Sequence, residues 1–343
     1  MSLKELVNNF EILISKIEAD GEKNAAFKLR QYRSFVRILK KYHHEKLLKN
    51  RDNLFEYLEE NGKKKTSSIV KKIKEYLDTG VIAAVEDAKN DPKIKCVREL
   101  TKVYAIGPKK ALKLYKEHDI CTIDELRELF KKDNTVLHNK QKLGLKYFDD
   151  LEKRIPRKEM EMYDKELKKI CKKISKEMKF SINGSYRRKL KTSGDIDVLI
   201  SGPEDKVKDF RKSFIEELKN KKIIVADLAS GNKKYMGVVK LDKCPHRHMD
   251  IIDTNLKEYP FAVLYFTGSG GFNTIMRAQA LSLGYSMNEY TLTDKKTKKP
   301  LDKKIIKSKI GKESFETERD IFKFLDMKYL KPEDRNHNTP SKN

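Results

Sequence analysis

Apolar residues recur at helical spacing from the start of the chain, at Leu3, Leu6, Val7, Phe10, Leu13, Ile14 and Ile17, and again at Phe27, Tyr32, Phe35, Val36 and Leu39. A period near 3.6 predicts amphipathic helices. Thr79-Gly80 closes a further helix carrying Ile69, Ile73 and Leu77, and Asn90-Asp91-Pro92 marks a joint between modules. In the helical block that follows, Val103-Tyr104-Ala105-Ile106-Gly107-Pro108-Lys109 reads as a tight turn opening onto a helix near Lys110. From Arg157 the pattern changes to a charged helix and then β-rich runs at 196–200, 222–226, 235–241 and 248–252. A helix at 274–283, short strands within 288–293 and a helix at 318–328 complete the reading. An all-helical half followed by mixed strands and helices predicts an α+β fold.

Charge narrows the class. Of 343 residues, 77 are Lys or Arg against 52 Asp or Glu, a formal net charge of +25. An excess of one sign on this scale points to a polyanionic partner, because each phosphate neutralised releases a condensed counterion. No apolar run reaches the ~20 residues needed to span a bilayer, and the N-terminus lacks a signal-peptide core. Cys96, Cys121, Cys171 and Cys244 show no C-x-x-C spacing. They read as separate buried thiols of a reducing compartment, with no structural zinc site.

The densest chemistry lies in N-G-S-Y-R-R-K-L-K-T-S-G-D-I-D-V-L-I at 183–200. Alternate side chains of a strand share a face, so Asp195 and Asp197 are expected to project together. Paired carboxylates hold divalent metal. The upstream Gly184-Ser185 turn, with Arg187 and Arg188, suits phosphate. Asp250, alternating with Met249 and Ile251, is the best third acid, and three acids can share two metals in an in-line displacement.

In this order and spacing the motifs resemble the family X DNA polymerases of the DNA polymerase β type, over nearly the whole chain. The matching segments are G-S-Y-R-R (184–188), S-G-D-I-D-V-L (193–199), M-G-V (236–238), P-H-R-H-M-D-I (245–251), L-Y-F-T-G-S (264–269), F-N (272–273), M-R-A-x-A-L (276–281) and N-E-Y-T (288–291). Upstream, I-G-P (106–108), L-G-L-K-Y-F (143–148) and E-K-R-I-P-R (152–157) also match. The resemblance implies an all-helical lyase-like domain at 1–88, a helix-hairpin-helix subdomain at 89–155 and a nucleotidyltransferase palm with a mixed sheet at 156–260. A small α+β nucleotide-selecting subdomain at 261–335 and a disordered tail at 336–343 follow.

It also implies roles. Asp195 and Asp197 would hold two Mg²⁺ ions, with Mn²⁺ an accepted substitute, and Asp250 would complete the site that activates the primer 3′-hydroxyl. Gly184, Ser185, Arg188 and Gly194, aided by Arg154, would cradle the nucleotide phosphates. Tyr265, Phe266 and Gly268 would lie on its sugar and Asn273 on its base edge. Lys234, Arg277 and Tyr290 would contact DNA. Gly107 and Lys109 would grip a DNA phosphate, with a Na⁺ or K⁺ ion on the carbonyls of Thr101, Val103 and Ile106. Lys72 falls on the Schiff-base lysine of the family's 5′-deoxyribose-phosphate lyase, and Lys28 and Tyr32 on its 5′-phosphate pocket.

The sequence departs from the family in several places. Ala105 replaces the first hairpin glycine, and Ser68 replaces a pocket lysine. Val81, Ala83 and Ala84 stand at basic positions, and the first hairpin at 62–65 is degenerate. His248 occupies the place of an arginine that buttresses the carboxylates, and Gly270 that of an acid after T-G-S. The last two changes suggest low fidelity.

The expected protein is a monomeric, template-directed gap-filling repair polymerase with lyase activity. It would act on gapped or nicked duplex and deoxynucleoside triphosphates, beside a DNA ligase and an AP endonuclease. Its place would be intracellular, in the nucleus or at a cytoplasmic site of DNA replication, with no membrane partner. No BRCT-like module is expected. A terminal transferase and a noncatalytic end-binding scaffold are the alternatives. The short turn between Val239 and His248 argues against the first, and the intact acids against the second.

Overall fold

The structure is a computed structural model that describes residues 1–20, 25–40, 42, 50–60, 62–63 and 66–336. The tail at 337–343 and Lys64-Lys65 of the first hairpin lie outside the described residues. The chain divides into two compact units, Met1–Phe148 and Asp149–Asn343.

The first unit is helical, as its periodicity predicts: α1 (Leu3–Asp20), α2 (Ala25–Leu39), α3 (Arg51–Glu60), α4 (Ser68–Thr79), α5 (Ala83–Asn90), α6 (Pro92–Leu100), α7 (Pro108–His118), α8 (Ile123–Lys132) and α9 (Asn139–Lys146). Phe10 of α1 and Phe35 of α2 meet with ring centroids 4.8 Å apart in a core running from Leu6 to Leu145. Local chemistry sets the helix ends. Ser67 caps α4, and Gly80 ends it at φ 83°, a left-handed conformation that glycine adopts without strain. At the joint read from Asn90-Asp91-Pro92, Asp91 caps α6 and Pro92 occupies its first turn, and the apolar core continues past it.

Two cysteines depart from the expectation of four separate buried thiols. Cys96 on α6 and Cys121, just before α8, are joined in a disulfide, with Cα atoms 4.1 Å apart. Cys171 is buried and Cys244 half-buried. The pair is 25 residues apart and becomes neighbouring only once the intervening helix folds back, a closeness that spacing alone does not reveal. With one pair bonded and only Cys171 and Cys244 free, the cysteines do not by themselves point to a reducing compartment.

A short helix, α10 (Phe148–Leu151), leads to the strands and helices of the second unit: β1 (Ile155–Pro156), α11 (Arg157–Ile174), β2 (Lys179–Ile182), α12 (Gly184–Arg187), β3 (Thr192–Ser193), β4 (Ile196–Gly202) and α13 (Glu204–Asn220). Then come β5 (Ile224–Ser230), β6 (Lys234–Val239), β7 (Arg247–Asn255), α14 (Tyr259–Thr267), α15 (Gly270–Ser282), β8 (Tyr285–Met287), β9 (Leu292–Asp294), α16 (Lys303–Ile310) and α17 (Glu318–Phe324). The sheet order is β2-β4-β7-β6-β5, and only β4 and β7 run parallel. It is the mixed sheet expected of the palm.

The pleat sorts side chains to two faces. Ile196, Val198 and Ile200 of β4, with Met249 and Ile251 of β7, pack against Leu167, Phe210 and Phe214 of α11 and α13. The alternate positions Leu199 and Ile252 meet Ala262 and Val263 of α14 on the other face. Asp197 and Asp250 belong to that second set by parity. A separate core between Phe261 and Met327 holds the C-terminal elements.

Several boundaries differ from the sequence reading. The 222–226 run is a strand two residues later, the last helix stops at Phe324, and the sequence pattern predicts neither α14 nor α16. Helix α14 is apolar on every side, so it carries no amphipathic period to read.

Arg335 is fully buried between the rings of Phe272, Phe322 and Tyr329. It donates to Glu318 Oε1 at 2.6 Å, while Arg187 of α12 donates to Glu318 Oε2 at 2.7 Å. Burial alone would raise the Glu318 carboxyl, yet the two arginines win and hold it below its ordinary range. A depressed carboxyl contributes stability above its unfolded pKa and loses it as pH falls through the folded value. Glu318→Gln leaves Arg335 buried without its counterion, so it should cost ~3 kcal/mol at pH 7. Its stability should also decline less than that of wild type between about pH 5 and pH 3, as urea titrations at each pH will show.

Candidate active site

The second unit contains a cavity of about 570 Å³ lined by Asp195, Asp197 and Asp250 together with Arg154, Gly184, Ser185, Arg188, Gly194, Lys234, Tyr265, Phe266, Gly268, Asn273 and Arg277. Every residue assigned from the sequence to metal or nucleotide contact in this unit therefore faces one space. Leu190, Gly270 and Thr274 line it too. Tyr290 is not among the lining residues; its ring lies 4.6 Å from Lys233 Nζ.

Backbone pairing brings the acids together. In the parallel ladder Asp197 stands directly opposite Asp250. Asp195 does not share the strand as expected. It lies in the bend just before β4, reached from the β1–β3 ladder in which Ser193 pairs with Ile155. Burial, then Asp195 and Asp250, push the Asp197 carboxyl well above its usual range, against the pull of Lys234 and Arg188. Asp195 is raised as well, by burial first, with His248 opposing and Asp250 reinforcing.

Asp250 is held from two sides. Lys234 Nζ lies 2.6 Å from Oδ2 and His248 Nε2 lies 3.5 Å from Oδ1, an oxygen that is buried and, among the described residues, accepts no hydrogen bond. Arg247 could have compensated for the arginine missing at His248, but it is turned away. It makes a bidentate pair with Glu159 at 2.7 and 2.8 Å and donates to Lys153 O. His246 beside it donates its backbone N–H to Asp150, so the start of β7 is tied to the segment before β1.

The turn and arginines expected from the sequence to receive phosphate adjoin the acids. Gly184 has φ 55°, and a Cβ there would fall 2.0 Å from Asp197 Oδ2, so only glycine lets the turn pass this close. Arg188 donates to Thr267 O and to Asn336 Oδ1, both at 2.6 Å. Arg154 donates to Thr192 O at 2.8 Å. Asn273 Nδ2 donates to Tyr265 O at 2.7 Å, and Arg277 lies over the Tyr265 ring while pairing with Glu289. At Gly270 an added Cβ would meet nothing within 4 Å, so the acid usual in the family could be accommodated.

Among the described residues no three His, Cys, Asp or Glu side chains stand ready to chelate an ion, and Lys234 already occupies one face of Asp250. The donor set nonetheless fits a hard divalent cation: three carboxylates on one cavity, two of them raised by burial first and by neighbouring carboxylates second, and an orphaned Asp250 oxygen.

In the first unit the hairpin ahead of α7 has the backbone that its sequence seemed to lack. Ala105 adopts φ 65°, the left-handed conformation usually left to glycine. The buried Gln141 holds it by donating to Ala105 O at 3.0 Å. Gly144 lets α9 come close, since a Cβ would lie 2.4 Å from Tyr104 O. Gly107 caps α7, Lys109 is exposed, and Thr101, Val103 and Ile106 flank the turn. Lys28 and Tyr32 share α2, and the Lys28 charge opposes the burial that raises the Tyr32 hydroxyl. Lys72 lies half-buried on α4.

Three family models match in chain order: the fingers domain of DNA polymerase lambda over residues 98–152, the DNA polymerase beta palm over 154–255 and the DNA polymerase beta thumb over 262–336. The chain is 29% identical to DNA polymerase lambda of Arabidopsis thaliana over 279 residues, covering 77% of this chain and 51% of that protein. It is 27% identical to DNA polymerase lambda of Rattus norvegicus, covering 78% and 46%, and 25% identical to DNA nucleotidylexotransferase of Xenopus laevis, covering 77% and 56%. The chain thus spans about half the length of the curated relatives it matches. The crystal structure of Leishmania infantum polymerase beta in a ternary P/T complex is 34% identical with a TM-score of 0.63, covering 72% of this chain and 100% of that one.

A carboxyl raised by burial stabilises the fold below its unfolded pKa and loses that contribution as pH rises through the folded value. Carrying Asp197 therefore costs the metal-free protein stability at pH 7. Asp197→Asn should raise the melting temperature in EDTA by a few degrees, and millimolar Mn²⁺ should stabilise wild type but not the variant. A variant melting lower in EDTA, or still stabilised by Mn²⁺, contradicts this electrostatic account.

Proposed function

This chain belongs to the family X DNA polymerases of the β type, and on that footing we propose that it is a template-directed DNA polymerase filling short gaps during base excision repair. The single observation carrying this reading is the convergence of Asp195, Asp197 and Asp250 with Gly184, Ser185, Arg188 and Gly194 on one cavity. Asp195 and Asp197 would hold two Mg²⁺ ions, or Mn²⁺, and Asp250 one of them. Bound there, the ions supply the charge that activates the primer 3′-hydroxyl and stabilises the leaving oxygen.

The chain's own groups do the positioning. Arg188 and Arg154, with the backbone of Gly184, Ser185 and Gly194, receive the triphosphate and neutralise charge on it. Tyr265, Phe266 and Gly268 flank the sugar, and backbone at Tyr265 crowds a 2′-hydroxyl. Asn273 reads the minor-groove edge of the incoming base, and Arg277 meets the template strand. This is catalysis by orientation and preorganised charge.

In the first unit, Gly107 and Lys109 grip a DNA phosphate without reading bases, with Na⁺ or K⁺ on the Thr101, Val103 and Ile106 carbonyls. Lys72 attacks C1′ of a 5′-deoxyribose phosphate to form an imine with loss of water, while Lys28 and Tyr32 hold the 5′-phosphate. A β-elimination then breaks the sugar's C3′–O bond so that the DNA end leaves with a 5′-phosphate, and hydrolysis of the imine frees Lys72. Gapped duplex, deoxynucleoside triphosphates, a DNA ligase and an AP endonuclease are the partners of such a monomeric enzyme, inside the cell. The likeness to a nucleotidylexotransferase keeps terminal transfer as the second reading. The turn joining β6 to β7 spans only residues 240–246, which favours use of a template.

On a one-nucleotide gap with Mg²⁺, Asp250→Ala should lower the single-turnover incorporation rate at least ~10³-fold, with gapped-DNA affinity nearly unchanged. A near-wild-type rate would falsify its assignment. Borohydride should trap the protein on DNA bearing a 5′-deoxyribose phosphate, and Lys72→Ala should remove most of that adduct while gap filling survives. Undiminished trapping would place the nucleophile elsewhere. No trapping in wild type would leave the unit as a phosphate-binding clamp.

A further inference from the structure

Asp250 already has a cation, and the fold delivers it. Lys234 opens β6 across from Ile252 of β7, with Met236 across from Asp250, so it shares the face on which Asp250 projects. The turn before it is anchored. Buried Arg211 pairs with Asp253 at 2.9 Å and donates to Gly231 O at 3.0 Å and Asn232 O at 2.8 Å. The adjacent Lys233 is committed outward, pairing with Glu258 at 2.7 Å. Of the two neighbouring lysines, it is Lys234 that lines the cavity, with its Nζ 2.6 Å from Asp250 Oδ2.

We propose that Lys234 is an exchangeable counterion: it neutralises Asp250 in the free protein and transfers to a DNA phosphate when DNA binds, opening Asp250 to a divalent cation. The proposal rests on the reading of Asp250 as a metal ligand and of Lys234 as a DNA contact. An ammonium and a divalent ion repel each other on one carboxylate, so metal must displace the lysine. DNA, which draws the lysine away, then tightens metal binding, and metal tightens DNA binding by the same factor. The Lys234 side chain is 43% exposed, and pairs this open to solvent are weak. Exchange is therefore easy and the coupling modest, about three- to five-fold.

The test is a Mn²⁺ titration followed by electron paramagnetic resonance, without nucleotide. It compares free protein with protein on a gapped duplex ending in a dideoxy 3′-terminus, corrected for ions on the DNA alone. In wild type, DNA should tighten Mn²⁺ binding about three- to five-fold. In Lys234→Met, the free protein should bind Mn²⁺ tighter by that same factor, and DNA should add almost nothing. Lys234→Arg, which can keep the ion pair, should retain the coupling and excludes a folding artefact. Unchanged Mn²⁺ affinity in free Lys234→Met, or undiminished coupling, overturns the proposal. Asp250→Asn separates the two levels. If it binds Mn²⁺ as wild type does, the ligand assignment falls and the exchange with it. If it binds weakly while Lys234→Met changes nothing, only the counterion role falls.

Discussion

Parallel hydrogen bonding between β4 and β7 sets Asp197 opposite Asp250, in the one parallel pair of an otherwise antiparallel sheet. Most features of the site follow from that register. A slip of one residue in either strand would turn that strand's acid into the apolar layer occupied by Val198, Met249 and Ile251 and expose its apolar residues on the opposite face. Because the register is locked by burial on both faces, the acids can be held close despite their repulsion.

The consequence is a site that works against the stability of the protein around it. Burial and like charge raise Asp195 and Asp197, so the fold carries them at a cost it must recover elsewhere. It does so in the apolar layers on both faces of the sheet. Preorganised charge of this kind speeds charge transfer because no solvent has to reorient as the reaction proceeds.

Much of this was legible in the chain itself. Period-two runs containing Asp197 and Asp250 identified the two strands, and the G-S-x-x-R turn identified a segment that lines the same cavity as the acids. What escaped had physical reasons. Helix α14 is apolar on every side and gives no periodic signal. Asp195 looked like part of the strand because a two-residue interval cannot distinguish a strand from the bend before it. The contact of Lys234 with Asp250 and the Cys96–Cys121 bond depend on tertiary approach, which no local spacing encodes. Ala105 looked like a defect in the hairpin, yet support from Gln141 lets an alanine take the left-handed turn.

Arg188, the cationic wall beside the acids, is held by the side chain of Asn336, and Ser269 donates to the backbone of Arg335. These two partners are among the last described residues of the chain, whereas Arg188 and Asp195 are made much earlier. A nascent polypeptide emerging from the ribosome could form the sheet and align its acids, but it would lack the clamp that orients this guanidinium. Completion of the pocket is thus deferred until synthesis has passed Asn336, so a truncated translation product carries the acids beside an Arg188 that lacks its side-chain anchor.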